Sequence, residues 1–193
     1  MNKHSSLTTI RDEHASLAAM LQSMRMMIER GPSDDRRNFF DVVRAMLFYI
    51  DEFPERLHHP KESNLLFPKV VKASPKVMGA VDKLERDHLY SEKAARDLQH
   101  LLLSWELLGA SRRQAFEEAF HKYVDFYLEH MRLEETVILP EAERSLSEDD
   151  WRLLDAAFAE NADPLTGHHA PTQAYEKLFS LIVMRAPAPI GLG

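Results

Sequence analysis

The chain contains no cysteine, which removes disulfides, thiolate metal sites, iron–sulfur ligation and cysteine nucleophiles from consideration. Any metal must be held by nitrogen and oxygen. Only six of its 193 residues are glycine, and no alternating Val/Ile/Thr run is present, so a sheet has little to be built from. No apolar run is long enough to span a bilayer, and the opening Met1-Asn2-Lys3-His4-Ser5-Ser6-Leu7-Thr8-Thr9 has no apolar stretch of signal-peptide length. Clusters of Lys and Arg are missing too. With 24 basic against 31 acidic residues the net charge is -7, which argues against a nucleic-acid or membrane partner. The expectation is a soluble, cytoplasmic, all-α protein.

What remains is helical pattern. A composition of 45% hydrophobic and 28% charged residues suits one domain with a sizeable core. Leu7, Ile10, His14, Leu17, Leu21, Met24 and Ile28 recur every three or four residues, and Gly31-Pro32 ends that helix. A second helix is expected from about Asp35 to Val71, bent at Pro54 and Pro60, because each proline removes a backbone hydrogen bond and crowds the preceding turn. Ser74-Pro75 should open a third, carrying Val77, Val81, Leu84, His88, Ala95, Leu98 and Leu102 to a stop at Gly109. Ser111-x-x-Gln114 resembles a capping box for the fourth, whose seam runs Phe116, Phe120, Tyr123, Tyr127, His130, Glu134, Val137. Short connections between four long helices predict an up-down-up-down four-helix bundle over residues 1–146. Beyond it, Ser147-x-x-Asp150 and the stretch from Thr172 predict a two-helix appendage of the same domain over 147–185, and the Pro/Gly-rich end, 186–193, a flexible tail.

Two segments of the chain repeat one another. His58-His59-Pro60-Lys61-Glu62 and His130-Met131-Arg132-Leu133-Glu134 each set a Glu four residues after a His, with Pro68 and Pro140 ten residues after that His. A further histidine precedes each copy, His14 and His88. Residues at i and i+4 share a helical face, so the pattern offers imidazole and carboxylate together, twice. A lone His on an apolar stripe is usually a core histidine, and an isolated His-x3-Glu is usually a solvated pair. Four histidines on four helical stripes with two carboxylates one turn on are different: burying those carboxylates without cations costs several kcal/mol each. His59, about 100° from His58 on a helix, is expected at the edge of the site or in solvent. His4, His100 and His121 fall away from the motif, and His168-His169 is expected to be an exposed loop pair.

With those residues in view, the chain resembles the hemerythrin-like family of HHE cation-binding domains over roughly Leu7 to Pro140. Within that family the arrangement is similar to di-iron proteins linked to repair of iron centres damaged by nitric oxide or peroxide. The resemblance implies two iron ions, oxo- or hydroxo-bridged, held by His14, His58, Glu62, His88, His130 and Glu134, with the two glutamates bridging. It further implies nitric oxide, oxygen or peroxide as the small partner, in oxidative or nitrosative stress protection. Zinc, manganese and nickel suit the same donors. Oxygen-carrying relatives place two histidines on the third helix, whereas Leu84 and Glu92 stand a turn either side of His88; the repair proteins carry a cysteine-containing segment, and this chain has no cysteine.

Six protein ligands, shared equally, leave each iron one open position once a bridge is added, unless Glu85, Glu92 or a tyrosine fills it. Two open positions favour reaction over storage of a diatomic ligand. Reversible oxygen binding, sensing, and structural or storage binding of metal are the competing readings.

Overall fold

The structure, a computed structural model, describes residues 4–32, 35–161, 163–168, 170 and 172–193. It is all-helical, with no strand among the described residues. Helix α1 spans Ser5–Arg30 and ends on Gly31 at φ 71, in the left-handed region that a Cβ would strain. The second arm is continuous over residues 36–73 and is built from α2 (Arg36–Ile50), α3 (His59–Lys61) and α4 (Phe67–Ala73), joined by π-helical turns at Asp51–His58 and Glu62–Leu66. Helix α5 spans Met78–Leu108. The fourth arm is α6 (Arg113–Leu133), a π turn at Glu134–Ile138, and α7 (Leu139–Ser145). Two shorter helices follow, α8 (Glu148–Phe158) and α9 (Glu176–Arg185).

The π turns are how the chain absorbs its prolines. A proline in an α-helix pushes its ring against the carbonyl four residues back, and the wider π turn relieves that clash. Pro54 sits inside the first π turn, and Pro68 and Pro140 each stand at the second residue of the helix that follows one. The two copies of the sequence motif thus end in the same device, and it falls beside Glu62 and Glu134. π turns recur at functional sites because they re-aim a side chain without ending the helix.

Helix starts match the sequence unevenly. Ser147 and Asp150 form the expected reciprocal capping box, and Asp35 caps α2 by accepting from the Asn38 N–H. The box expected at Ser111 does not form. Ser111 lies inside a 3₁₀ turn, Ala110–Arg112, whose backbone bonds replace a side-chain cap.

The apolar core comes in two parts. One gathers the C-terminal half of α1 with α2, α6, α9 and the later part of α5, around Met24, Phe40, Trp105, Phe116 and Phe120. The other gathers the start of α1 with α4, α7, α8 and the start of α5, around Leu7, Phe67, Leu84, Ile138 and Trp151. His14, His58, Glu62, His88, His130 and Glu134 fall between them along every arm, as a buried polar layer. Each large apolar side chain buried on either side contributes about 1.5–3 kcal/mol, which offsets the cost of placing charges at the centre.

The end of the chain, expected as a flexible tail, lies against the helices. Residues 186–193 fold back onto α9, with Leu192 N–H bonded to Val183 O at 2.8 Å and Gly193 N–H to Ala186 O at 2.9 Å. Ile190 N–H also reaches Ser23 Oγ on α1 at 3.0 Å. Ala186, at the start of the segment, is buried.

Candidate metal centre

Each of the four arms delivers part of the polar layer. Helix α1 brings Glu13 and His14, the second arm Glu55, His58, His59 and Glu62, α5 brings His88, and the fourth arm Tyr127, His130 and Glu134. Their ligand atoms form two groups, His14, His58, Glu62 and Glu134 in one, and His59, Glu62, His88 and His130 in the other. All of these side chains are buried, Glu62 and Glu134 completely.

The carboxylates lie between the groups. Glu62 presents Oε1 to His58 Nε2 at 3.1 Å and Oε2 to His88 Nε2 at 3.5 Å. Glu134 presents Oε2 to His14 Nε2 at 3.1 Å and Oε1 to His130 Nε2 at 3.2 Å, with His88 Nε2 at 3.8 Å from the same oxygen. One oxygen of each glutamate therefore faces each group. That is the disposition two bridging carboxylates need.

The outer ring nitrogens are occupied differently. His14 Nδ1 lies 2.9 Å from Glu135, His58 Nδ1 2.6 Å from Glu13, His59 Nδ1 3.0 Å from Glu55, and His88 Nδ1 3.0 Å from Ser63 Oγ, which itself donates to Glu85. A carboxylate only accepts, so Nδ1 keeps its proton, and it is from Nε2 that a metal would displace the second proton to reach a lone pair. For His14, His58 and His88 that Nε2 faces the glutamates. Ligand histidines are held this way, by an outer acceptor that fixes tautomer and ring plane.

Whether the residues fit a metal pair can be tested on their hydrogen bonds. Buried polar atoms are almost always satisfied, yet His58 Nε2, His88 Nε2, His130 Nε2 and all four oxygens of Glu62 and Glu134 have no hydrogen-bond partner. They stand at ion-pair distance from one another without hydrogen-bond alignment. Seven orphaned donor atoms converging on two points are explained by cations, since each would otherwise cost ~1–3 kcal/mol. The donor set, imidazole and carboxylate without sulfur, suits iron, zinc, manganese or nickel.

The electrostatics agree. Burial disfavours the charged form of His14, yet the carboxylates of Glu134 and Glu135 beside its ring nitrogens outweigh it and hold its pKa at about 9. His88 is opposed by burial in the same way and held at about 9 by Glu134 and Glu62, and His58 is raised by Glu62 and Glu13 against its burial. Glu134 is lowered well below the carboxylate range because the surrounding histidines outweigh its desolvation. His59 goes the other way: burial, and then the neighbouring His88, His58 and His130, press it well below its ordinary value, leaving a neutral ring.

His59 is therefore not at the edge of the site or in solvent. It is 5% exposed, stacks on His88 at 4.0 Å, and its Nε2 lies 3.2 Å from the Tyr127 hydroxyl. The 100° separation from His58 does hold, with ring centroids 5.8 Å apart. The ligand atoms form two groups, so adjacent residues on one helix can each face one. Glu55 completes this corner by accepting from Tyr127 at 2.9 Å and from Ser91 at 2.9 Å. Burial raises its own pKa to about 7 despite those bonds.

Other residues weighed in the sequence lie further out. Glu92 pairs with Arg96 on the exposed face of α5, Glu85 acts only through Ser63, and Tyr49 donates to Asp163 at 2.6 Å. His4 stacks on Trp151 at 4.2 Å, and His100 and His121 are exposed. His168, exposed as expected, sits 3.1 Å from Asp12, and His169 lies outside the described residues. Glu13 has no place in the sequence reading, and Glu135, about 100° around the helix from Glu134, reads there as a bystander, whereas it meets His14 Nδ1 at 2.9 Å. The only signal for them is a Glu directly beside a motif residue, His14 or Glu134.

A cavity of about 20 Å³ adjoins His58, His59, His130 and Tyr127, walled by Leu17, Phe53, Leu57 and Met131. It has the room one water-sized molecule needs.

A family model described as hemerythrin, hemerythrin HHE cation binding domain, matches residues 5–142. No curated protein matches the chain.

Proposed function

The chain belongs to the hemerythrin HHE cation-binding family, and from that premise we propose that it holds two iron ions and uses them to bind and react with nitric oxide, oxygen or peroxide. The ligands in this reading are His14, His58, Glu62, His88, His130 and Glu134, with both glutamates shared. The observation that carries it is the set of orphaned oxygens and Nε2 atoms converging from four arms. In the same reading residues 1–146 are an up-down-up-down metal-binding bundle, 147–185 an appendage of one domain, and the role is protection against oxidative or nitrosative stress, or iron-centre repair, inside the cell.

Bound iron would supply the electrons and the open coordination positions that such a molecule requires. The protein supplies selection and shape. A cavity of about 20 Å³ with mostly apolar walls has the size to admit a diatomic molecule or peroxide. Tyr127 lines it, with its hydroxyl between Glu55 and His59, where turning its one proton away from Glu55 would offer a hydrogen bond to a molecule in the cavity. The test is stopped-flow mixing of the reduced, iron-loaded protein with nitric oxide and with oxygen. Rapid optical change with both, and oxidation that does not reverse when oxygen is pumped away, is the expected result.

One observation favours reversible oxygen binding as the second reading. His59 stands in the His88/His130 group and would give that ion a third imidazole, so that only the His14/His58 ion keeps an open position. Recovery of the reduced spectrum under vacuum, lost in His59→Ala, would select that reading over reaction.

A further inference from the structure

The family match ends at residue 142, but the buried network around the centre does not. Lys61, three residues after His58, donates to Ala157 O at the end of α8 at 2.7 Å, and also to the side-chain oxygen of Asn161. That fixes which way the Asn161 amide points: its oxygen faces Lys61, so its nitrogen faces inward. There Asn161 Nδ2 donates to Glu13 Oε2 at 3.1 Å, the oxygen that also accepts from His58 Nδ1 at 2.6 Å. Asn161 and Glu13 are 4% and 9% exposed, so water does not substitute readily for either contact.

We propose that Asn161 is a positioning residue for the metal centre, acting through Glu13 on His58, so that the segment after α8 is a working part of the site and not packing alone. The proposal rests on His58 being a metal ligand. Without the Asn161 donor, the Glu13 carboxylate keeps one strong hydrogen bond and is free to rotate about its last torsions. Glu13 then no longer holds the His58 ring in one plane. The consequence falls on one ion of the two. His58 belongs to the His14 group, whereas His88 gives its outer bond to Ser63 and His59 to Glu55, and neither contact involves α8 or Asn161.

The test compares the full-length wild type with Asn161→Ala, Asn161→Asp and Glu13→Gln, each reconstituted anaerobically with ferrous iron and followed by Mössbauer spectroscopy and competitive chelation. Outer partners of metal-binding histidines are typically worth 10–100-fold in affinity. Asn161→Ala is expected to weaken one of two ions by about that factor and to shift the Mössbauer doublet of that iron alone. Asn161→Asp keeps the size and the acceptor for Lys61 but loses the donor to Glu13, so it should behave like the alanine variant, and it keeps the test open if alanine does not fold. Combining Asn161→Ala with Glu13→Gln should add little to Glu13→Gln, because the two act in series. Both ions bound as in wild type with unchanged doublets, equal weakening of both, or wild-type behaviour of Asn161→Asp would each overturn the proposal. A wild type that binds no iron would refute the metal reading itself.

Discussion

Metal uptake by this centre should be strongly proton-linked, and the size of the effect follows from the imidazoles. At pH 7, His14 and His88, both held at about 9, carry a proton on nearly every metal-free molecule. A ligand nitrogen must give that proton up. Two pH units at 1.36 kcal/mol each amount to about 2.7 kcal/mol per imidazole, or roughly a 100-fold loss of apparent affinity at pH 7 relative to pH 9 and above. His14 and His88 stand in different groups, so each ion bears the cost of at least one proton, and His58, also raised, steepens the dependence for its own ion. Between pH 6 and pH 8 the apparent association constant of each ion should therefore climb by at least about 100-fold. Anaerobic ferrous titrations against a chelator of known pH dependence measure the slope, and calorimetry in buffers of different ionisation enthalpy counts the protons released. An affinity flat across that range, with no buffer-dependent heat, would falsify the assignment of these histidines as ligands.

The carboxylates separate in role. Glu134→Ala should remove a shared ligand, uncouple the two irons magnetically and lower occupancy of both, whereas Glu135→Ala should weaken only the ion held by His14, by about 10–100-fold, since Glu135 accepts from His14 Nδ1 at 2.9 Å. Seen from the sequence alone Glu135 faces away and should be inert; an inert Glu135→Ala would show that this contact has no functional consequence. Stability of the metal-free protein should fall as pH rises. A histidine whose folded pKa is raised contributes stability that is complete below its unfolded value near 6.5 and is lost as pH climbs through about 9. The loss is about 3 kcal/mol for either residue, not twice that for both because they share Glu134, and corresponds to roughly 6–12 °C in Tm for a chain of this size. Melts at pH 6.5 and pH 9, with and without metal, decide it. A metal-free Tm that rises toward pH 9 would contradict the sign.

The doubled His-x3-Glu unit pointed to these residues because two such pairs, each with a further histidine before it, place two carboxylates on apolar stripes where burial without cations is costly. Those six residues do converge between the two halves of the core. What stayed hidden depends on the neighbouring helix. Glu13 and Glu135 each stand beside a motif residue, and only the approach of another arm shows that Glu13 serves His58 while Glu135 serves His14. His59 was set aside by a rule for one-sided sites. Pro54 announces a disturbance in the helix, but that it takes the form of a π turn, and not a break, is decided by packing on both sides. Asn161 lies in a connecting segment with no periodicity to read, and nothing in composition distinguishes it from a turn residue.

The central claim is that one chain holds two metal ions with shared carboxylates. Elemental analysis of protein reconstituted anaerobically with ferrous iron tests it most directly, with His130→Ala as the disabled form and the exposed His121→Ala as the control. Two irons per chain in the wild type and in His121→Ala, with a sharp fall in His130→Ala, is the predicted result. Saturation at one iron, or none, would contradict it.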